Sequence, residues 1–129
     1  MNNFTFACFL LAFLMLGCIE PQQENKQIKT ELYFGLSNSA GPIPEADWQT
    51  FKTDVIENIL SGFTELRGDG YWQSSSGQKY REKSAILIYI HENSGSENQK
   101  IDSLITLFKT KFDQESVLQI DQEVDINFK

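Results

Sequence analysis

Cysteine is nearly absent from this chain. Its 129 residues include only Cys8 and Cys18, both in an apolar N-terminal stretch. A disulfide framework and a Cys-based metal site are therefore excluded for the rest of the sequence. There is one histidine, His91, and no three ligand-type residues share a recognised metal spacing, so no metal and no cofactor is expected. No Ser sits in a GxSxG context, which removes the commonest hydrolase signature. Basic residues are also few: eleven Lys and Arg against eighteen Asp and Glu give a net charge of −7. The densest basic run, Lys79, Arg81 and Lys83, is interrupted by Tyr80 and Glu82. Such a chain is repelled by phosphate backbones, so nucleic-acid binding is excluded. The longest apolar run, Phe4 to Ile19, falls short of the roughly 20 residues that span a bilayer as a helix.

That run nevertheless reads as an export signal. The segment MNNFTFACFLLAFLMLGC places Gly17 and Cys18 directly after the apolar stretch, the pattern at which a bacterial lipoprotein precursor is acylated and cut. Its first three residues lack the side-chain positive charge usual there, and an uncleaved membrane helix or a plain secretory peptide are the competing readings. The expected organisation is a signal peptide over 1–17, a lipidated polar tether over 18–29 and one domain over 30–129. Cys8 leaves with the signal and Cys18 takes the lipid, a palmitate-type acyl anchor. The partner expected first is the membrane, and the location is the cell envelope. Ile19 rather than Asp after the Cys favours the outer membrane, periplasmic side, if the cell is diderm.

From Thr30 the hydrophobic period alternates between two and 3.6 residues. Thr30 to Ser37 predicts a strand and Asn38 to Ile43 a loop. Trp48, Phe51, Val55, Ile59 and Leu60 mark a helix opened by Pro44. Phe63 to Trp72 reads as a second strand, Ser74 to Gln78 as a hairpin turn and Lys79 to His91 as a long third strand. Ile101, Leu104, Ile105, Phe108 and Phe112 mark a second helix after a polar loop, and Ser116 to Phe128 closes the chain as a strand with a bend or bulge near Asp121 to Glu123. Strand, helix, strand, strand, helix, strand is the order of a ferredoxin-like α+β sandwich: a four-stranded antiparallel sheet with two helices on one face. The expected core joins Phe34, Trp48, Phe51, Ile88, Ile105 and Phe108. Leu32, Phe34, Leu36, Ile86, Ile88 and Ile90 are expected under the helices, with Tyr33, Leu87 and Tyr89 on the opposite, uncovered face.

Five segments carry a resemblance: TELYFGLS (Thr30 to Ser37), EADWQTF (Glu45 to Phe51), GFTELRGDGYW (Gly62 to Trp72), REKSAILIYIH (Arg81 to His91) and QESVLQIDQ (Gln114 to Gln122). Together they resemble an uncharacterised bacterial family of small envelope lipoproteins, classed as a domain of unknown function. The resemblance implies export and lipidation and supplies no reaction, substrate or catalytic residue.

The candidate ligand or dimer face comprises Tyr33, Leu87, Tyr89, Trp72 and His91. His91 beside Glu92 could do acid–base work, against the plainer reading of a surface His at a strand end. Trp72 is either a half-exposed contact residue or core. Glu31, Arg67, Arg81, Glu82 and Lys83 form either a polar rim or cross-strand ion pairs. Two functions follow: a non-enzymatic module that self-associates, most simply as a homodimer, or a small-molecule-binding protein or enzyme with a pocket on the open face, its ligand unspecified.

Overall fold

The computed structural model describes residues 26–73 and 75–129. The signal segment, Cys18 and the tether up to Asn25 lie outside the described residues.

Among the described residues, six strands and four helical segments follow in order: β1 (Lys26–Gly35), β2 (Ser37–Asn38), β3 (Gly41–Pro42), α1 (Glu45–Phe51), a π-helical turn (Lys52–Ile56), α2 (Glu57–Ile59), β4 (Thr64–Gln73), β5 (Lys79–His91), α3 (Gly95–Phe112) and β6 (Leu118–Asp125). The main sheet has the order β4–β5–β1–β6 with every neighbour antiparallel, while β2 and β3 make a separate small hairpin. The first and third long strands are thus central, and the fold is the ferredoxin-like α+β sandwich.

Both helical layers meet the sheet at Phe34. Its ring lies 4.6 Å from that of Phe108 on α3 and 5.6 Å from that of Trp48 on α1. Phe51 and Phe112 extend the cluster, with ring centroids 5.4 Å apart. Edge-on aromatic contacts of this kind add about 0.5–1.5 kcal/mol per pair beyond area burial. Ile101, Leu104, Phe108 and Phe112 recur at helical spacing and put one face of α3 into the core. Ser94 caps that helix by accepting from Glu97 N–H, and Asp113 ends it in the left-handed region at φ 52°. The Ser94–Glu97 spacing is a capping signature, and it places the helix start within the stretch Glu92 to Glu97 that the hydrophobic period leaves as loop.

Four expectations need correction. Lys26 to Lys29 are strand, not tether, because they pair with both β5 (Ile28 opposite His91) and β6 (Lys26 opposite Asp125), which satisfies their backbone groups. The bulge expected near Asp121 to Glu123 is absent: register runs unbroken from Tyr33 opposite Leu118 to Lys26 opposite Asp125. In the first helical region the π turn inserts one residue per turn, so the buried stripe is Trp48, Phe51, Ile56 and Leu60, leaving Val55 and Ile59 at its margin. The fourth correction is the largest. Leu32 lies opposite Leu87, Phe34 opposite Ala85 and Thr30 opposite Tyr89, and directly paired residues share a face. Ala85, Leu87, Tyr89 and His91 are therefore under the helices, and Ile86, Ile88 and Ile90 are on the open side. Ile88 accordingly drops out of the expected core, and Ile105 packs at its edge.

Candidate functional site

The open face is built from alternate residues of four strands. Tyr33 on β1 lies between Ile86 of β5 and Leu118 of β6, and Glu31 lies between Ile88 and Ile120. Leu66 of β4 stands opposite Ile86, and Trp72 opposite Tyr80. Leu66, Trp72, Tyr80, Ile90, Leu118 and Ile120 are all exposed, Leu118 at 57% and Leu66 at 48%. The edge strand β6 is the clearest case. Its apolar parity (Leu118, Ile120, Val124) faces the open side, while Gln119, Asp121, Glu123 and Asp125 share the side on which the helices sit. A strand in a solvated sheet does the reverse.

Polar groups on this face are mostly paired among themselves. Lys29 Nζ lies 3.0 Å from Glu31 Oε1, and the Tyr33 hydroxyl donates to Glu31 Oε2 at 2.8 Å. Hydrogen bonds from Lys29 and then Tyr33 hold the Glu31 carboxyl below the usual carboxylate range, and the same contact to Glu31 raises the Tyr33 phenol. The face therefore carries little net charge in a strongly acidic protein.

Of the five residues expected to line the site, Tyr33 and Trp72 are on the open face and the other three are not. Leu87 is fully enclosed, Tyr89 is 2% exposed and His91 is 5% exposed. All three sit in the β5 parity that faces the helices. Tyr89 donates to Glu97, which also accepts from Lys100 Nζ at 2.6 Å. Burial and then the Glu97 contact raise the Tyr89 phenol, while Lys100 and Tyr89 together lower the Glu97 carboxyl.

His91 is neither a surface residue nor paired with the Glu92 carboxylate. Its Nε2 lies 2.8 Å from Thr30 Oγ1 and its Nδ1 lies 2.8 Å from the Glu92 carbonyl oxygen. The Thr30 hydroxyl has one hydrogen and donates it to Asp121 Oδ1 at 2.5 Å. The ring thus reaches β1 through Nε2 and the residue after its own strand through Nδ1. Thr30 is fully buried, and the chain Asp121–Thr30–His91 ties β6, β1 and β5 together.

The remaining charged residues resolve largely into structural pairs. Glu65 accepts from Trp48 Nε1 at 2.9 Å and Lys52 Nζ at 2.8 Å, and pairs with Arg67 Nε at 2.6 Å. Arg67 also reaches Glu45 at 2.9 Å, Lys83 pairs with Asp69 at 2.6 Å, and Arg81 lies 5.0 Å over the Tyr71 ring. Glu82 pairs with no cation among the described residues.

A hollow of about 390 Å³ lies at the other side of the molecule, bounded by Asn38, Pro42, Ile43, Asp47, Lys111 and Phe112. None of the residues expected from the sequence lines it. Among the described residues no three His, Cys, Asp or Glu side chains converge as metal ligands would, and no helix is long and apolar enough to cross a membrane.

Residues 29–128 match a family described as "Protein of unknown function (DUF3574)". No curated protein matches the sequence. Among solved structures, a phage SAM lyase in complex with S-methyl-5'-thioadenosine is similar at 22% identity and a TM-score of 0.58, over 81% of this chain and 86% of that one. The same kind of lyase in its apo state gives 21% identity and 0.59 over the same shares. CutA from Pyrococcus horikoshii matches at 15% identity and 0.49, over 78% of this chain and 87% of that one. At these identities the lyase likeness shows the fold alone.

Proposed function

This chain belongs to the DUF3574 family, and from that premise we propose that it is a lipid-anchored envelope module whose open sheet face docks on a second copy of itself. The observation that carries the reading is β6: an edge strand that turns its apolar parity outward to the uncovered side and its acids toward the helix side. Exposed apolar patches of this extent usually mark an interaction surface. Self-pairing suits it because Lys29 and Glu31 neutralise each other, so two copies can meet without like-charge repulsion despite the net −7 of the chain.

Size is consistent with association of moderate strength. Four strands of eight residues, at about 4.8 Å and 3.3 Å spacing, present roughly 500 Å². Two such faces together would bury roughly 1,000 Å², near the lower end for a specific interface. Two such faces would stack about 10 Å apart, as in a sandwich.

The lipid would come from Cys18, which supports placement in the cell envelope, in the outer membrane of a diderm cell. Fatty-acid labelling of the precursor should be lost in Cys18→Ser, and the protein should leave the membrane fraction; retained labelling refutes the anchor. Association is tested separately by sedimentation of a fragment beginning at Lys26. A concentration-dependent dimer should become a monomer with Ile120→Lys, and a monomer at every concentration in the unaltered fragment removes the proposal.

A further inference from the structure

At the hairpin end of the open face, Glu82 stands apart from every cation among the described residues. Its sequence neighbours Arg81 and Lys83 project to the other side of the sheet, where they engage Tyr71 and Asp69. Its carboxyl lies across the sheet above Gly35, so near that a Cβ there would come within 2.8 Å of Oε2. Its hydrogen-bond donor is the Ser37 hydroxyl at 3.1 Å. One hydroxyl leaves most of the acceptor capacity of a carboxylate unused.

Two residues further along the same face, Trp72 and Tyr80 stack with centroids 4.1 Å apart and planes 12° from parallel. They are 51% and 43% exposed, although stacked rings of this size are normally buried. Gly70 lies opposite Glu82, so no β4 side chain stands between the carboxylate and the stack on that strand. A carboxylate with no counter-ion among the described residues, one alternate position from an open aromatic pair on the same strand face, is the chemistry that holds organic cations, the charge on the carboxylate and the alkyl body against the rings.

We propose that this end of the open face binds a small organic ammonium ion, held by Glu82 and by the Trp72–Tyr80 stack. The primary contact is an N–H donated to Glu82, and the flanking methylenes lie on the indole and phenol faces. The site goes beyond the association reading and does not depend on it, since neither Leu118 nor Ile120 contributes.

The test uses the full chain in a non-ionic detergent, titrated with n-butylammonium chloride at constant ionic strength and followed by tryptophan emission. Trp48 is sealed in the core, so a response reports Trp72. The expected result is a saturable change that sodium chloride and n-butanol do not produce. Glu82→Gln, which keeps the shape and removes the charge, should weaken it roughly tenfold or more, about 1.4 kcal/mol. Tyr80→Leu should weaken it as well, whereas Glu115→Gln and Ile120→Lys should leave it unchanged. A response equal for sodium and butylammonium, or one that persists undiminished in Glu82→Gln, overturns the proposal. Loss of dimerisation in Ile120→Lys with this titration intact would bear on association alone.

Discussion

The two faces of one sheet differ in completion more than in composition. On the helix side, Leu32, Phe34, Ala85 and Leu87 are fully buried beneath Trp48, Phe51 and Phe108. On the other side, Ile86, Ile88 and Ile90 of the same strand stand among Leu66, Leu118 and Ile120 with nothing from the described residues above them. In β5 every residue from Ala85 to Ile90 is apolar, so hydrophobicity alone cannot say which parity a helix covers. What decides it is pairing with β1, whose alternation is clean. The apolar surplus then falls on the second face, where Leu66, Ile90, Leu118 and Ile120 stay exposed.

The sharpest way to break that comparison is to place one charge on each face. Leu87→Lys should abolish cooperative folding, because an ammonium in that enclosed position has no partner and its burial costs several kcal/mol; circular dichroism and urea titration would show it. A folded Leu87→Lys protein would return Leu87 to the exposed side. Next in size, Phe108→Ala removes the ring that meets Phe34 and should cost roughly 3–5 kcal/mol by denaturant titration; a loss under about half a unit would mean that the ring is not enclosed.

A smaller effect concerns Glu65 at the helix-side margin. Burial pushes its carboxyl up, but the bonds from Lys52 and Trp48 and the charge of Arg67 outweigh this and hold it below the usual range. A lowered folded-state value means that the unfolded chain binds its proton first as pH falls. The stabilisation is therefore complete above the ordinary carboxylate range and disappears as pH drops through the lowered folded-state value. Glu65→Gln should flatten that part of the acid limb, and an unchanged acid limb would remove the assignment. Ile120→Lys should have the smallest effect on stability, within about 0.5 kcal/mol, as a surface change. Its effect should fall on association, and a large loss of stability would mean that β6 is covered within the chain.

Periodicity made most of the architecture legible. The alternation of Leu32, Phe34 and Leu36 and the stripe from Ile101 to Phe112 define one strand and one helix without help from tertiary structure. The site was legible only in part. The alternation of β1 puts Tyr33 on the open face, whereas the run Ala85 to Ile90 carries no phase, and Leu87, Tyr89 and His91 lie on the helix side. Trp72, set between core and contact, proves exposed because β4 and β5 extend past the end of β1, whose last partner is Ser84. The sequence gives no sign that His91 is buried, because its partner Thr30 is 61 residues away and Thr30's own acceptor, Asp121, is 91 residues from Thr30. A usable signal exists in β6: its strict separation of Leu118, Ile120 and Val124 from Asp121, Glu123 and Asp125 marks one side of that edge strand as apolar.

The strand order has a consequence for how the chain can acquire its shape. Divided at the β4–β5 turn, the chain gives one half with β1 and β4 and another with β5 and β6. In the sheet these alternate half by half, β4–β5–β1–β6. Neither half contains two adjacent strands, so neither can close a ladder of the main sheet alone, and a gap one strand wide would separate its members. Folding must therefore wait for both halves and proceed as one cooperative event, with distant pairings formed early enough to make it slower than a helical bundle of this length. The same interleaving means that a proteolytic nick at the hairpin turn should leave the two pieces locked together, each supplying the strand that fills the other's gap.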